Sequence, residues 1–390
     1  MLAEGLNPFR LSPVEIASGV VFGMGPAGPV NGVAGDAMSA IESAVLPALK
    51  RPPCLVSFSG GVDSSAVLAV AATVARREGL PAPIPATIRF LNAPGSDETS
   101  WQELVVKHVG ADDWIRLDCD DELDALGPVA TAALERHGLL WPFNTHFHAP
   151  ILEAAAGGSL LTGIGGDEAL GRSRRSAALG RPPSLRATPR HLARAVAELA
   201  PRSVRTSLVS RRMWFAPPWL RPGALAEARR ALASDAACEP LRRSRRLPAW
   251  RALRYVRTGI ASLDLLARDR DVVITHPLAD PGVLASLSRQ RWLGTVSRGD
   301  SARALFGARL PAELYGRTTK AHFDEAFFGP HSKAFTSAAL AEVDGDVVDA
   351  EALSLAWAVP SPDTHTLTLL QAAWLAHRSR ARGLTAASSS

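Results

Sequence analysis

Apolar positions in the first half of the chain fall into short runs separated by stretches of helical period, which predicts β and α elements in alternation. Cys54-Leu-Val-Ser-Phe-Ser59 predicts a strand, and Val62 to Arg77, apolar nearly all round, predicts a buried helix behind it. Ahead of them a helical pattern from Asp36 (Met38, Ile41, Ala44, Val45, Leu49) runs to the proline pair at 52 and 53. Asp36 or Ser39 is placed to cap that helix and Pro47 to kink or shorten it. Further strands are expected at Ala86 to Leu91, Trp114 to Leu117 and Leu160 to Thr162, with a helix opened by the acids of SDETSWQELVVKHVG between the first two. Strands that alternate with helices pair in parallel and are covered on both faces, so the pattern predicts an α/β fold with a doubly wound parallel sheet.

Outside that core the pattern changes. Residues 1–35 are rich in Gly and Pro and read as an irregular lead-in with a strand at Ile16 to Phe22. Residues 36–171 are expected to form the α/β core, residues 172–260 an Arg-rich helical insert broken by prolines, and residues 261–384 a helical C-terminal region. Helices are expected from Leu263 to Leu310, interrupted by the loop HPLADP, and a last one over Thr364 to Ala381.

Composition narrows the classes. A chain of 390 residues, 47% apolar and 21% charged, has the core-forming capacity that disordered segments lack. Its three cysteines, Cys54, Cys119 and Cys238, have neither disulfide-scaffold nor zinc-ligand spacing, and a reducing cytoplasm is the expected setting. The longest nearly unbroken apolar stretch, Ala66 to Ala75, is about half the ~18 residues of a membrane span, so no membrane association is expected. Charge is uneven: Arg172 to Arg257 carries 21 Arg against four acids, which makes that segment +17 while the remainder is −12. It reads either as a surface for an anion or peptide or as solvated helix faces in a chain with only four lysines.

The chemistry concentrates at Ser59-Gly60-Gly61-Val62-Asp63-Ser64-Ser65, between a strand and a helix. Glycines let backbone N–H groups approach an anion, the helix N-terminus adds donors and a positive dipole end, and the serines add hydroxyls. This is a pyrophosphate cradle without the GxxxxGK[ST] or GxGxxG spacing. SGGVDSS resembles the phosphate loop of the ATP pyrophosphatase (PP-loop) superfamily. The resemblance implies ATP cleaved between its α- and β-phosphates, with Ser57, Ser59, Gly60, Gly61, Val62, Asp63, Ser64, Ser65 and Phe90 around the nucleotide.

A second motif, Leu160-Leu-Thr-Gly163-Ile164-Gly165-Gly166-Asp167-Glu168-Ala-Leu-Gly171, is similar to the LLSGEGADELFGGY segment of the asparagine synthase family. The spacing of 104 residues between Asp63 and Asp167 suits that family. Two carboxylates at the carboxyl ends of neighbouring parallel strands face one crevice and suit Mg²⁺, which keeps waters and phosphate oxygens among its ligands. The resemblance implies Asp63 and Asp167 as the Mg²⁺ ligands, with Gly163 and Gly165 beside the ATP. A third segment, Leu310-Pro311 through Arg317 and Lys320 to Phe323, looks like the family's "LP…R.K..F" region and implies that Lys320 neutralises charge on the α-phosphate and the tetrahedral intermediate. HPLAD at 276–280 is similar to the family's "PFLD" turn.

Two departures bear on the substrate. Only 58 residues precede Ser59 and position 2 is Leu, so no N-terminal glutaminase domain is expected. Ile164 stands where the motif has Glu, and an alkyl chain can neither bind ammonia nor move a proton. Stretches such as RTTKAHFDEAFFG look like lasso-peptide macrolactam cyclases, in which a side-chain carboxylate of a precursor peptide is adenylated and attacked by the peptide's own amine. The expected activity is therefore an ATP- and Mg²⁺-dependent, AMP-forming amide ligase acting on a small-molecule or peptide carboxylate, with a precursor peptide and its leader-processing proteins as the partners the resemblance implies. An ammonia-dependent asparagine synthetase and an RNA-modifying PP-loop enzyme stay as alternatives, nucleic acid being disfavoured by GGDE and by the lack of aromatic interleaving in the Arg stretch. Ile164, Glu168, His146, Asp280 and Arg317 are candidates for the acceptor side, and His146, His148, Glu168 and His322 for the general base.

Overall fold

The computed structural model describes residues 4–25, 36–171, 200–211, 213–240, 243–290, 297–317, 321 and 323–388. Among them one sheet is formed by β1 (Cys54–Ser57), β2 (Ile84–Phe90), β3 (Ile115–Cys119), β4 (Ser159–Leu161) and β5 (Val273–Thr275). Their order across the sheet is β3-β2-β1-β4-β5 and every pair is parallel. Chain order runs one way from β1 to β3 and the other way from β4 to β5, so β1 and β4 flank the point of reversal, where open α/β sheets bind ligands beyond their carboxyl ends.

Alternation along each strand shows why both faces are covered. Val56 and Leu161 join the apolar cluster beneath the helices Ala37–Leu49, Val62–Glu78 and Pro281–Arg289, while Leu55, Ala86 and Leu160 face Ile151, Leu152 and Leu266 on the other side. A parallel sheet buried on both faces needs this near-continuous apolar content. Asp36 caps the helix Ala37–Leu49 by accepting from Ser39 N at 2.8 Å, and Pro47 sits inside its last turn.

Three expectations are corrected. Ile16 to Phe22 is not a strand: residues Pro13–Ser18 form a helix whose Ser12 accepts from Glu15 N while Glu15 accepts from Ser12 N, a reciprocal cap followed by proline at the first helical position. Nor is the lead-in irregular over its described part, where Leu11, Val14 and Ala17 pack in an apolar cluster with Trp219 and with Leu370 and its neighbours of the C-terminal helix Leu367–Ser388. Finally, the span Leu263 to Leu310 holds β5, which extends the sheet beside β4 with Leu160 opposite Ile274. The expected C-terminal helix opens with a short 3₁₀ turn, Thr364–Thr366. Among the described residues no helix is long and apolar enough to cross a membrane. Of the Arg-rich insert, residues 172–199 lie outside the described residues; what is described includes the helices Arg202–Arg211 and Pro222–Cys238.

Candidate active site

The chain leaves β1 through Ser59 and turns at Gly60, whose φ of 80° a side chain rarely adopts. A Cβ there would also meet Gln102 Cγ at 2.8 Å, so the helix Thr99–Val109 closes over the turn, with Gln102 Nε2 donating to Ser59 O at 3.3 Å. Ser64 Oγ ties the loop together: it accepts from Ser59 N at 3.2 Å, lies 3.1 Å from Ser59 Oγ and donates to Gly61 O at 3.2 Å. Gly61 caps the 17-residue helix Val62–Glu78 without a side chain, leaving the first-turn N–H groups and the positive dipole end directed at the crevice. Ser65 Oγ is buried beside them with no partner among the described residues.

The loop after β4 comes within contact distance of this helix start, and that is what its glycines permit. A Cβ on Gly163 would sit 2.8 Å from Ser64 N, and one on Gly166 would fall on the carboxylate of Asp63. Gly165, with φ 96°, lets the loop pass Ala279 of the turn that follows β5, which a Cβ would approach to 2.9 Å. The two loops thereby bring Asp63 and Asp167 to one place, as the motif spacing anticipated.

A cation already stands there. Arg298 Nη2 is 2.5 Å from Asp63 Oδ2 and 3.1 Å from Asp167 Oδ1. Nothing in the family motifs marks Arg298; it opens the helix Arg298–Phe306 after the capping residue Ser297, 235 positions from Asp63. Burial pushes the Asp63 carboxyl up to about 6, with Arg298 opposing the rise and the charges of Asp167 and Glu168 adding to it. Asp63 Oδ1 is buried without a partner among the described residues. A buried oxygen with no donor, a second carboxylate across the crevice and excess negative charge fit an Mg²⁺ ion. Among the described residues no group of three or more His, Cys, Asp or Glu side chains gathers anywhere, so the ion would draw its remaining ligands from water and phosphate.

The other expected site residues fare differently. Ser57 closes β1. Val62 and Phe90 are half-buried, and Phe90, at the end of β2, meets Phe147 at 5.3 Å and Phe323 at 5.9 Å between ring centroids. Ile164 lies half-buried in the β4 loop, its N–H donating to Thr162 Oγ1 at 3.3 Å. Glu168 stands next to Asp167 in the short helix Gly166–Leu170. Arg317 is taken up by structure on the nucleotide side: its guanidinium pairs with Glu98, donates to Gly60 O at 3.3 Å and lies 5.2 Å over the Trp101 ring. Glu98 also accepts from Ala321 N at 3.0 Å, so this buried pair clamps the segment leading to Phe323 against the phosphate loop. Asp280 caps the helix Pro281–Arg289, its Oδ1 accepting from Gly282 N and Val283 N, and the ring nitrogens of His146 lie 3.1 Å and 3.0 Å from the carbonyls of Phe143 and Leu123, one of which the neutral ring can donate to, with burial lowering it to about 4. Lys320 and His322 lie outside the described residues.

Sequence reasoning missed Arg298, Gln102 and the pair Thr162–His276, joined at 2.6 Å. The strand that brings His276 beside the end of β4 had been read as helix.

No curated protein matches the chain. The asparagine synthase family model matches residues 39–384, which include β1, β4, both glycine loops, both aspartates and Arg298. The chain thus belongs to the asparagine synthase family, whose members are ATP-using amide-bond ligases.

Proposed function

We propose that the protein adenylates a side-chain carboxylate of a peptide or peptide-like natural product and couples it to an amine carried by the same substrate, closing a macrolactam. The observation that carries the reading is Ile164 in the loop that also holds Asp167. The position beside the reacting carboxylate is alkyl, which suits an amine delivered by its own substrate rather than ammonia that must be captured and deprotonated there.

In this reading the helix start at Gly61, with Ser59, Ser64 and Ser65, receives the departing pyrophosphate. Asp63 and Asp167 hold Mg²⁺, which supplies charge neutralisation at the phosphates when bound. Arg298, in contact with both carboxylates, offsets part of their mutual repulsion and stands where it could also meet a phosphate oxygen. Phe90, Phe147 and Phe323 present an apolar ring wall beside the nucleotide loop. Lys320 follows the Arg317–Glu98 clamp by three residues and serves the α-phosphate. Binding therefore creates the adenylate where the amine of the same molecule has a high local concentration.

The test is ATP–pyrophosphate exchange with Mg²⁺, run with aspartate plus ammonia and separately with peptides that have a free N-terminus and one internal Asp or Glu. Exchange with a peptide, together with loss of one water from its mass, is the expected result. Exchange with aspartate alone, yielding asparagine, overturns it.

A further inference from the structure

With Ile164 unable to take a proton, the amine's proton needs another destination. Two buried ring nitrogens in this part of the molecule have no partner among the described residues, Nε2 of His276 and Nδ1 of His148. His276 directly follows β5, at the carboxyl edge of the sheet next to β4, and its turn packs on the glycine loop through Ala279 and Gly165. Its Nδ1 lies 2.6 Å from Thr162 Oγ1, and the same oxygen accepts from Ile164 N. One hydroxyl thus ties the ring to the residue that replaces the glutamate. A buried polar atom left unpaired costs free energy of roughly 1–3 kcal/mol, so its persistence calls for a partner brought by something else.

We propose that His276 accepts, on Nε2, the proton of the attacking amine in the amide-forming step, Thr162 holding the ring as hydroxyl acceptor of its Nδ1–H. The inference rests on the ligase reading above. The amine lone pair forms the C–N bond at the acyl carbon, the bond from that carbon to the AMP oxygen breaks and its electron pair leaves with AMP, and the N–H proton passes to Nε2. The resulting imidazolium then releases it to solvent. Groups facing His276 favour a neutral ring beforehand: burial first, then His148 and Arg251, bring it down to about 4. Arg251 comes from the turn after the helix Arg243–Trp250 and is held by Ala279 O at 2.5 Å, and His148 precedes the helix Ala149–Ala154.

Hydroxylamine separates the roles, because it is largely unprotonated at neutral pH while a peptide α-amine, with a pKa of about 7.7–8.0, is not. In His276→Gln, pyrophosphate exchange with an acidic peptide and trapping of its adenylate as hydroxamate should stay within about twofold, while lactam formation falls by about a hundredfold or more. Thr162→Val, which keeps the imidazole and removes its anchor, should lose about tenfold in lactam formation alone and show an altered pH profile for that step. Equal loss of exchange, hydroxamate and lactam in both variants would make the pair structural and overturn the assignment, as would lactam formation at the parent rate in His276→Gln. No exchange in the unmodified protein with any peptide or with aspartate would overturn the ligase reading and this assignment with it.

Discussion

Asp63 and Asp167 carry the same side chain to the same crevice by different routes. Asp63 sits in the first turn of a 17-residue helix and is 18% exposed, whereas Asp167 belongs to a five-residue helix in a glycine loop and is 72% exposed. One carboxylate is fixed by the core and largely desolvated; the other is carried on a short glycine-flanked helix and is exposed. Were the two to hold an ion as proposed, the buried partner would set its position and the exposed partner would adjust to phosphate. Arg298 touches both, so its loss should be felt mainly at Asp63.

The largest effects should come from deleting either carboxylate. Asp63→Ala and Asp167→Ala are each expected to lower pyrophosphate exchange on the order of a thousandfold with the fold retained. Lengthening them breaks the symmetry: Asp167→Glu should keep about a tenth of the activity, whereas Asp63→Glu should be as poor as the alanine variant, because the Gly166 backbone leaves no room for a further methylene. Equal outcomes for the two glutamates would abolish the distinction. Next in size, Gly166→Ala should cost about a hundredfold in exchange, its new methyl displacing the Asp63 carboxylate, while circular dichroism stays unchanged.

Arg298→Ala probes the shared cation. It removes the charge that opposes the rise in the Asp63 pKa and should lower exchange by about tenfold at pH 6, with a smaller loss at pH 8 and partial recovery in Arg298→Lys.

Stability offers a subtler measure. A carboxyl raised from 3.8 to about 6 keeps its proton longer in the folded than in the unfolded chain. The stability it contributes is full below about pH 4 and is lost as pH rises through about 6, by at most about 3 kcal/mol. Without Mg²⁺, Asp63→Asn should therefore melt a few degrees above the parent at pH 8 and close to it at pH 4, and Mg²⁺ should narrow the gap. His146 and His276, both lowered to about 4, act with the opposite sign: their contribution is present above about 6.5 and lost as pH falls through about 4. Smallest is Ser12→Ala, which removes a helix cap far from either carboxylate and should cost about 1 kcal/mol with exchange unaffected.

What was legible in the chain was what is local. The run from Cys54 to Val74 announces strand, glycine turn and buried helix because each element is specified by its own neighbours, and both aspartates lie in motifs that describe their own loops. Pro13–Ser18 was legible too, through Ser12, Pro13 and Glu15, but reading Ile16 to Phe22 as a strand hid it. Val273–Thr275 escaped because three residues at the sheet edge, between a helix and a His-Pro turn, are too few to show a period of two. Arg298, Gln102 and His276 could not be assigned because their meaning lies in partners far along the chain. The same limit holds for Asp280 and His146, whose nearest partners are a helix start and backbone carbonyls.

The Arg317–Glu98 clamp has a consequence for the order in which the molecule comes into being. It joins residues 219 positions apart and, with the Arg298 contacts, brings the final pieces to a phosphate loop made in the first fifth of a 390-residue chain. During synthesis the sheet strands up to β4 and their covering helices can gather while the remainder is still being translated. A ribosome-bound chain therefore carries the cradle long before it carries the residues that close it.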